Sequence, residues 1–190
     1  MSTVDDSTLW ADAIAGDGEA FGQIFDRHKD RVFRHALRLV DQRADAEDVT
    51  ASAFLELWRR RHDARVVSGT VLPWLLVTTT NLTRNVHRST RRHRALLARL
   101  PRPGPAADPA QAYLDSRAFE GLEPEIASAL RDLPVLDQQV LALTALEGFS
   151  MEEAGLALGL STSAVKSRLH RVRRRLRSPQ TPPLLKEIRS

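Results

Sequence analysis

The stretch "SMEEAGLALGLSTSAVKSRLHRVRRRL", from Ser150 to Leu176, decides how the C-terminal part of this sequence folds. Ser150 is followed three residues later by Glu153, and this spacing is a capping box that marks the start of a helix. Gly159 suits the left-handed position after a helix, and Ser161 is suited to cap the helix that follows. Two short helices joined by a turn of about three residues are typical of a helix-turn-helix.

The second helix of this pair carries six cations and no acid between Ser161 and Leu176. Its apolar residues fall within about 60° on a helical wheel and predict one buried stripe: Val165, Leu169, Val172 and Leu176. The other faces offer hydroxyls and guanidinium groups, which suit base edges and phosphates in duplex DNA. The predicted DNA-binding residues are Ser163, Lys166, Ser167, Arg168, His170, Arg171 and Arg174, with Arg171 as the base reader. The alternative is a solvated, arginine-rich surface helix.

The composition is that of a globular protein with an uneven charge distribution. The 190 residues carry a net charge of +4 and include no Cys, which excludes disulfides and thiolate metal sites. No apolar run approaches the roughly 20 residues of a membrane span, and the acidic N-terminus is unlike a secretory signal. We therefore expect a cytoplasmic protein. Two basic blocks without acids, residues 82–99 and 163–178, indicate two places where phosphates are met.

Helical periodicity recurs along the chain and no strand is predicted. The exception is "LPRPGPAADPAQ", Leu100 to Gln111, whose four prolines and one glycine predict an extended linker. We therefore predict an all-α fold of two small helical domains joined by this proline-rich linker. The predicted boundaries are 1–95 for the N-terminal domain, 96–121 for the linker, 122–178 for the helix-turn-helix domain and 179–190 for a tail.

The predicted helix "AEDVTASAFLELWRR", with Asp45 as its N-cap, has apolar residues on every face. A domain of this size does not easily enclose a helix completely, so part of this surface is expected to meet a partner. Leu55 and Trp58 are the exposed apolar candidates. The alternative is that both side chains pack beneath the N-terminal helix.

The next predicted helix, "WLLVTTTNLTRNVHRSTRRHR", follows Pro73, which suits a first turn. Leu75, Thr79, Leu82 and Val86 are predicted to lie on one side of this helix. The other side combines an aromatic ring, amides and arginines, which suit single-stranded DNA. These candidates are Trp74, Asn81, Arg84, Asn85 and Arg88, with the core as the alternative place for Trp74.

Two sets of motifs resemble the extracytoplasmic-function (ECF) group of bacterial sigma factors, in the sigma-70 family. The C-terminal set is the "LP" of "DLPVLDQQV", the G-x-S-x-x-E-A pattern and "VKSRLHRVRRRLR"; the N-terminal set is "FGQIFDRHKDRVFRHALRL", "DAEDV…AFLELW" and "WLLVTTTNLTRNVHR". The resemblance covers residues 20–93 and 125–177. It implies promoter-specific transcription initiation, with the −35 duplex read by the C-terminal domain and the melted −10 strand by the N-terminal domain.

The same resemblance implies partners and their contacts. The apolar helix is expected to dock on the clamp helices of the β′ subunit of core RNA polymerase, through Asp45, Glu47, Asp48, Leu55 and Trp58. The loop from His62 to Val71 is expected to accept a flipped −10 base, which Ser68 and Gly69 allow to approach closely. The family also implies promoter DNA as a ligand and an anti-sigma factor as an inhibitor.

Several residues depart from the family pattern. Ala51 stands where Gln is frequent, Ala154 where a larger apolar residue is usual, and Ser163-Ala164 where Gly-Thr is common. Gly155 stands where Ala is usual, and helix propensity predicts that this costs about 1 kcal/mol.

Two other functions are alternatives to this one. A conventional helix-turn-helix regulator would have a sensing or dimerising N-terminal half, which the second basic block and the apolar helix disfavour. An enzyme is not expected, because no P-loop, HExxH, GxSxG or GxGxxG pattern occurs. His28 and His35 are seven residues apart on one predicted helix, and we expect them to be exposed or partly buried. No metal and no cofactor is expected.

Overall fold

The computed structural model describes residues 5–97 and 124–176, with the side chains of residues 5–86 and 128–176. Within these ranges the chain is helical, and its one backbone bridge pairs Val67 with Thr70. The helices are α1 (Asp6–Ile14), α2 (Gly18–Leu39), α3 (Arg43–Arg59), α4 (Leu72–Leu97), α5 (Pro124–Arg131), α6 (Val135–Leu141), a π-helical turn (Ala142–Leu146), α7 (Met151–Leu158) and α8 (Thr162–Leu176). The predicted all-α fold is confirmed. No described helix is long and apolar enough to cross a bilayer.

Helix α1 was not predicted from the sequence. Leu9, Trp10 and Ala13 are buried and join the core, and Asp6 is a buried polar residue of the same helix. Three buried apolar residues in a segment of nine give a weak periodic signal. The helix is stable because it packs on α2, since isolated helices of this length are marginal in water.

The start of α3 differs from the prediction. The helix begins at Arg43, with Gln42 as its N-cap, so the expectation that Asp45 caps it is wrong. The reason is that the backbone N–H of Ala46 already bonds the carbonyl of Gln42, which closes the first turn three residues earlier than predicted. Asp45 lies instead in the first turn, where a carboxylate interacts favourably with the helix dipole.

Helix α4 tolerates its run of threonines because the buried hydroxyls are satisfied within the helix. The hydroxyls of Thr79 and Thr80 donate to the carbonyls of Leu75 and Leu76, at 2.8 and 2.9 Å, and that of Thr83 donates to the carbonyl of Thr80. A buried hydroxyl without a partner would be costly. Pro73 lies in the first turn, as predicted.

The capping interactions that the sequence predicts on both sides of the turn between α7 and α8 are present. The side chains of Ser150 and Glu153 form both bonds of a capping box, and Gly159 adopts the left-handed conformation at φ 67°. The hydroxyl of Ser161 accepts a bond from the N–H of Ala164 at the start of α8. The predicted stripe of α8 is buried: Val165, Leu169, Val172 and Leu176.

The expectation that Gly155 weakens its helix relative to Ala is wrong. The turn after α7 folds back so that a Cβ on Gly155 would lie 2.7 Å from the backbone oxygen of Leu160. The absence of a Cβ at Gly155 allows this close approach of the turn. We expect the cost of the clash in an Ala variant to exceed the gain of about 1 kcal/mol that Ala has in helix propensity.

The N-terminal and C-terminal halves pack together around one hydrophobic cluster. Leu72, Leu75 and Leu76 of α4 belong to the same cluster as Val140 and Leu143 of the C-terminal half. Two ion pairs, Arg31–Glu147 and Arg131–Asp41, also join the halves. The structure therefore brings the face of α4 close to α6 and α7.

Candidate nucleic-acid interface

The cationic face of α8 is open to solvent. The turn at Ser161 starts the helix, and the buried stripe fixes its rotation, so the polar residues point outward. Six of the seven predicted −35 residues are exposed: Ser163, Lys166, Ser167, His170, Arg171 and Arg174. Their chemistry changes along the helix, from small hydroxyls at the start to guanidinium groups further on, as duplex recognition requires.

Arg168 is the exception on this face. Its Nη1 lies 2.7 Å from Oδ1 of Asp137 on α6, and its side chain is only 26% exposed. Asp137 is buried, so the pair ties α8 to α6 and satisfies a carboxylate that would otherwise be costly to bury. The sequence did not reveal this partner, because it lies 31 residues away.

The polar face of α4 holds a second group of predicted residues. Asn81, Arg84 and Asn85 are exposed, as predicted. Trp74 is half-buried and packs against the core, so its ring is neither fully enclosed in the core nor fully exposed on the side predicted to face DNA. Arg88 lies outside the residues whose side chains the structure describes.

The loop before α4 contains a tight turn. Val67 and Thr70 exchange two backbone hydrogen bonds, at 3.0 and 3.1 Å, around Ser68 and Gly69. Both central residues have positive φ, 51° for Ser68 and 74° for Gly69. This pattern favours glycine, and a Ser in it is uncommon, so the surrounding contacts must hold the turn.

A buried carboxylate on α1 anchors this turn. Asp6 accepts the hydroxyl of Thr70 at 2.5 Å and lies 2.6 Å from Nε2 of His28 and 2.5 Å from Nη1 of Arg27. Burial alone would raise the pKa of Asp6, but the hydrogen bonds from Thr70, His28 and Arg27 together lower it. Asp6 is therefore ionised, and it connects α1, α2 and the turn.

Both histidines of α2 are buried, so the expectation that they are exposed or partly buried is wrong. Burial lowers the pKa of His28, although the nearby Asp6 carboxylate, 2.6 Å from its Nε2, acts to raise it. Nε2 of His35 lies 2.8 Å from the hydroxyl of Thr80, and burial lowers its pKa to about 3. Sequence reasoning missed these roles because the partners, Asp6 and Thr80, lie 22 and 45 residues away.

Helix α3 presents an unpaired apolar residue to solvent. Leu55 is 59% exposed, which excludes the alternative that it packs beneath the N-terminal helix. Trp58 is half-buried, with its ring 5.0 Å from that of Phe21 and the guanidinium of Arg61 over it at 4.7 Å. Of the predicted carboxylates, Glu47 and Asp48 are exposed and Asp45 is half-buried. An apolar centre with a polar rim is the usual composition of a protein interface.

Comparison with known proteins identifies the two halves separately. The family model of sigma-70 region 2 matches residues 24–93, and that of sigma-70 region 4 matches residues 124–176. The first contains the anchored turn and α4 as far as residue 93, and the second contains α7 and α8. Helix α1 and Asp6 lie outside both matches.

Individual relatives agree with these matches. The chain is 36% identical over 163 residues to the ECF RNA polymerase sigma factor SigE of Mycolicibacterium smegmatis, covering 83% of this chain and 60% of SigE. It is 33% identical over 163 residues to the RNA polymerase sigma factor CarQ of Myxococcus xanthus, covering 85% of this chain and 90% of CarQ. Thus it spans about three fifths of SigE and nearly all of CarQ.

Solved structures share the fold. The structure of CnrH in complex with the cytosolic domain of CnrY matches with a TM-score of 0.61 and 28% identity, covering 90% of this chain and 94% of CnrH. The sigma factor RpoE of Bartonella quintana, solved with the anti-sigma factor NepR, matches in fold with a TM-score of 0.55 at 23% identity. Taken with the two family matches and the relatives, the chain belongs to the ECF group of the sigma-70 family of RNA polymerase sigma factors.

Proposed function

We propose that this chain binds core RNA polymerase and directs transcription initiation at promoters with two recognised elements. The observation that carries the proposal is the presence of two separate exposed faces suited to DNA, on α8 and on α4. The first suits a duplex and the second suits a single strand, which is the combination that promoter opening requires. Neither face resembles a catalytic site, and the role we propose is not enzymatic.

The proposed −35 contacts lie on α8. Arg171 lies opposite the buried stripe, so it is placed to reach base edges, with Ser163 and Ser167 at closest approach. Lys166, His170 and Arg174 extend the same face toward the phosphates. Arg168 remains among the proposed −35 contacts. Its guanidinium has five N–H donors, and the bond to Asp137 uses one of them.

The proposed −10 contacts lie on α4 and on the turn before it. Asn81 and Asn85 offer amides to base edges, and Arg84 and Arg88 offer charge to phosphates. Trp74 is placed to stack or wedge. The turn at Ser68 and Gly69, held by Asp6 through Thr70, is proposed to accept a flipped base without chemistry on it.

The proposed polymerase contact is the exposed side of α3. Leu55 supplies the apolar centre, with Trp58 beside it, and Asp45, Glu47 and Asp48 supply polar contacts around it. The expected partner surface is the β′ clamp helices. Because CnrH was solved with the cytosolic domain of CnrY, we also propose that an inhibitory protein binds this chain, in the cytoplasm.

The direct test is to mix the chain with core RNA polymerase and with duplex promoter DNA separately. A sigma factor is expected to bind core polymerase and to gain specific promoter binding only in that complex. The matched variants are Leu55→Ala, which should weaken core binding, and Leu156→Ala, which removes an equally exposed leucine from α7. Tight specific binding to duplex DNA by the chain alone, without affinity for core polymerase, would instead indicate a conventional regulator.

A further inference from the structure

The turn before α4 holds a serine in a backbone conformation that serine rarely adopts. Ser68 has φ 51° and is exposed, and Gly69 beside it has φ 74°. A residue with a side chain remains in this left-handed region only when its surroundings fix the backbone there. The two backbone bonds between Val67 and Thr70 close the turn, but an isolated turn of this kind is marginal in water. The turn therefore depends on contacts from elsewhere in the fold.

Thr70 makes these contacts at one end of the turn. Its hydroxyl oxygen accepts the backbone N–H of Leu72, the first residue of α4, at 3.2 Å. The same hydroxyl donates its proton to Oδ2 of Asp6 on α1, at 2.5 Å. A hydroxyl has one proton to donate, so this bond commits it to Asp6. One side chain thus connects the turn to α4 and to α1.

Asp6 is held by α2 as well as by Thr70. Arg27 donates from Nη1 to Oδ1 of Asp6, and Nε2 of His28 lies 2.6 Å from Oδ2. Asp6 is only 5% exposed, and a buried carboxylate is tolerated when its oxygens are hydrogen-bonded. Burial raises the pKa of Asp6, but the contacts with Thr70, His28 and Arg27 outweigh burial and lower it. The group is therefore a carboxylate, which can only accept from Thr70.

The residue before Asp6 also lies against the turn. Asp5 is the N-cap residue of α1, yet its side chain makes no capping bond, although an Asp at this position usually accepts a backbone N–H of the first turn. A Cβ on Gly69 would lie 3.7 Å from Oδ1 of Asp5, which is ordinary contact distance. The start of α1 therefore borders both Gly69 and Thr70.

The start of α1 lies outside the part of the chain that matches sigma-70 region 2, which is residues 24–93. The turn at Ser68 and Gly69 lies inside that match. The match thus contains the turn but not the carboxylate that accepts the hydroxyl of Thr70.

We propose that Asp6 is a positioning residue for base recognition: through Thr70 it fixes the turn in the conformation that accepts the flipped −10 base, so the preference for that base depends on α1. This inference rests on the proposed function of the turn. Asp6 does not touch the base in this account. A turn that is fixed before the base arrives has less ordering to undergo on binding, so loss of Asp6 or of its partner should weaken selection of that base. The phosphate contacts proposed for α4 should remain.

The first measurement is base preference in the holoenzyme formed by the full chain and core polymerase. The probes are single-stranded oligonucleotides with the −10 element of a promoter that this holoenzyme transcribes, each position carrying each base in turn. Thr70→Val replaces the hydroxyl by a methyl group of similar size and should lower the preference at one position about fivefold or more. The other positions and the salt dependence should stay as in the wild type. Thr70→Ser keeps the hydroxyl and should retain the preference.

The second measurement is hydrogen exchange of the full chain followed by NMR. The amides of residues 67 and 70 report on the turn directly, because each donates to a carbonyl within it. Both should exchange about tenfold faster in Thr70→Val and in Asp6→Ala, because loss of one hydrogen bond changes an opening equilibrium by about that factor. Both changes break the same link, so the double variant should lose no more base preference than either single variant.

Val40→Ala is the control for general loss of stability. Val40 follows α2, is buried, and belongs to a separate apolar cluster with Ala36, Ala46 and Val49. Removal of two buried methyl groups destabilises the same half of the chain without touching the contacts of Asp6. This variant should keep the wild-type base preferences.

The proposal is overturned if Thr70→Val and Asp6→Ala keep the wild-type base preferences, or if Val40→Ala relaxes them equally. It is also overturned if the amides of residues 67 and 70 exchange in both network variants as slowly as in the wild type. A wild-type holoenzyme that prefers no base at any position of these oligonucleotides would instead contradict the proposed function, and this inference with it.

Discussion

Replacement of Gly155 by Ala separates two effects of opposite sign. In an exposed helix the change should stabilise the protein by about 1 kcal/mol, because Ala has the higher helix propensity. Here the new Cβ would meet the backbone oxygen of Leu160 at 2.7 Å, about 0.7 Å closer than ordinary contact begins. A backbone atom cannot rotate away as a side chain can, so the turn between α7 and α8 must shift.

The magnitude follows from these two terms. Overpacking of this kind costs about 1–3 kcal/mol, and a contact with a backbone oxygen belongs in the upper part of that range. After the propensity gain is subtracted, Gly155→Ala should destabilise the fold by about 1–2 kcal/mol. For a chain of this size, that lowers the melting temperature by about 3–6 °C.

The assay is thermal unfolding followed by circular dichroism at the helical band, with Gly22→Ala as the matched control. Gly22 lies inside α2, and a Cβ there would meet nothing within 4 Å. This control should therefore raise the melting temperature, by about 3 °C for a gain of about 1 kcal/mol. If Gly155→Ala raised it equally, the close approach of the turn to α7 would be wrong.

Three further predictions concern pH, polymerase binding and promoter reading. Burial lowers the pKa of His35 from 6.5 to about 3 in the folded protein, so at pH 5 the unfolded chain binds a proton that the folded protein does not. The free energy of unfolding should therefore be about 2 kcal/mol lower at pH 5 than above pH 6.5. Urea unfolding above pH 6.5 and at pH 5 checks this. If the free energy of unfolding of His35→Gln fell between these two pH values as much as that of the wild type, the prediction would be contradicted. Leu55→Ala should weaken core polymerase binding at least threefold in a fluorescence titration, while Leu156→Ala should not; equal losses would place the interface elsewhere. Arg171→Ala should relax preference at one −35 base pair and cost the holoenzyme about 1–3 kcal/mol in a single-base binding selection, whereas a uniform loss would make Arg171 a phosphate anchor.

Local signals in the sequence were sufficient for the helix-turn-helix. The capping box of Ser150 and Glu153, the left-handed Gly159 and the stripe of α8 each depend on residues close along the chain. The rotation of α8 follows from that stripe, so the exposed cationic face could be predicted without the structure. The same reasoning placed Asn81 and Asn85 on an exposed face of α4.

The features that could not be predicted depend on distant partners. Asp6 acquires its role only because folding brings His28 and Thr70 to it, from 22 and 64 residues away. The cost assigned to Gly155 was wrong because propensity describes an isolated helix, while the turn at Leu160 is a tertiary contact. Gln139 and Asn81, which form a hydrogen bond, lie on opposite sides of the proline-rich segment in the sequence. No periodic pattern in the sequence indicates that they meet.

The most direct test of promoter-directed initiation is run-off transcription with core RNA polymerase and a promoter library. We expect transcripts from a small set of promoters that share two separated elements, with Arg171→Ala altering preference at the upstream one and Asn81→Ala reducing permanganate-detected melting at the downstream one. Transcription no more selective than that of core polymerase alone would contradict the proposed function.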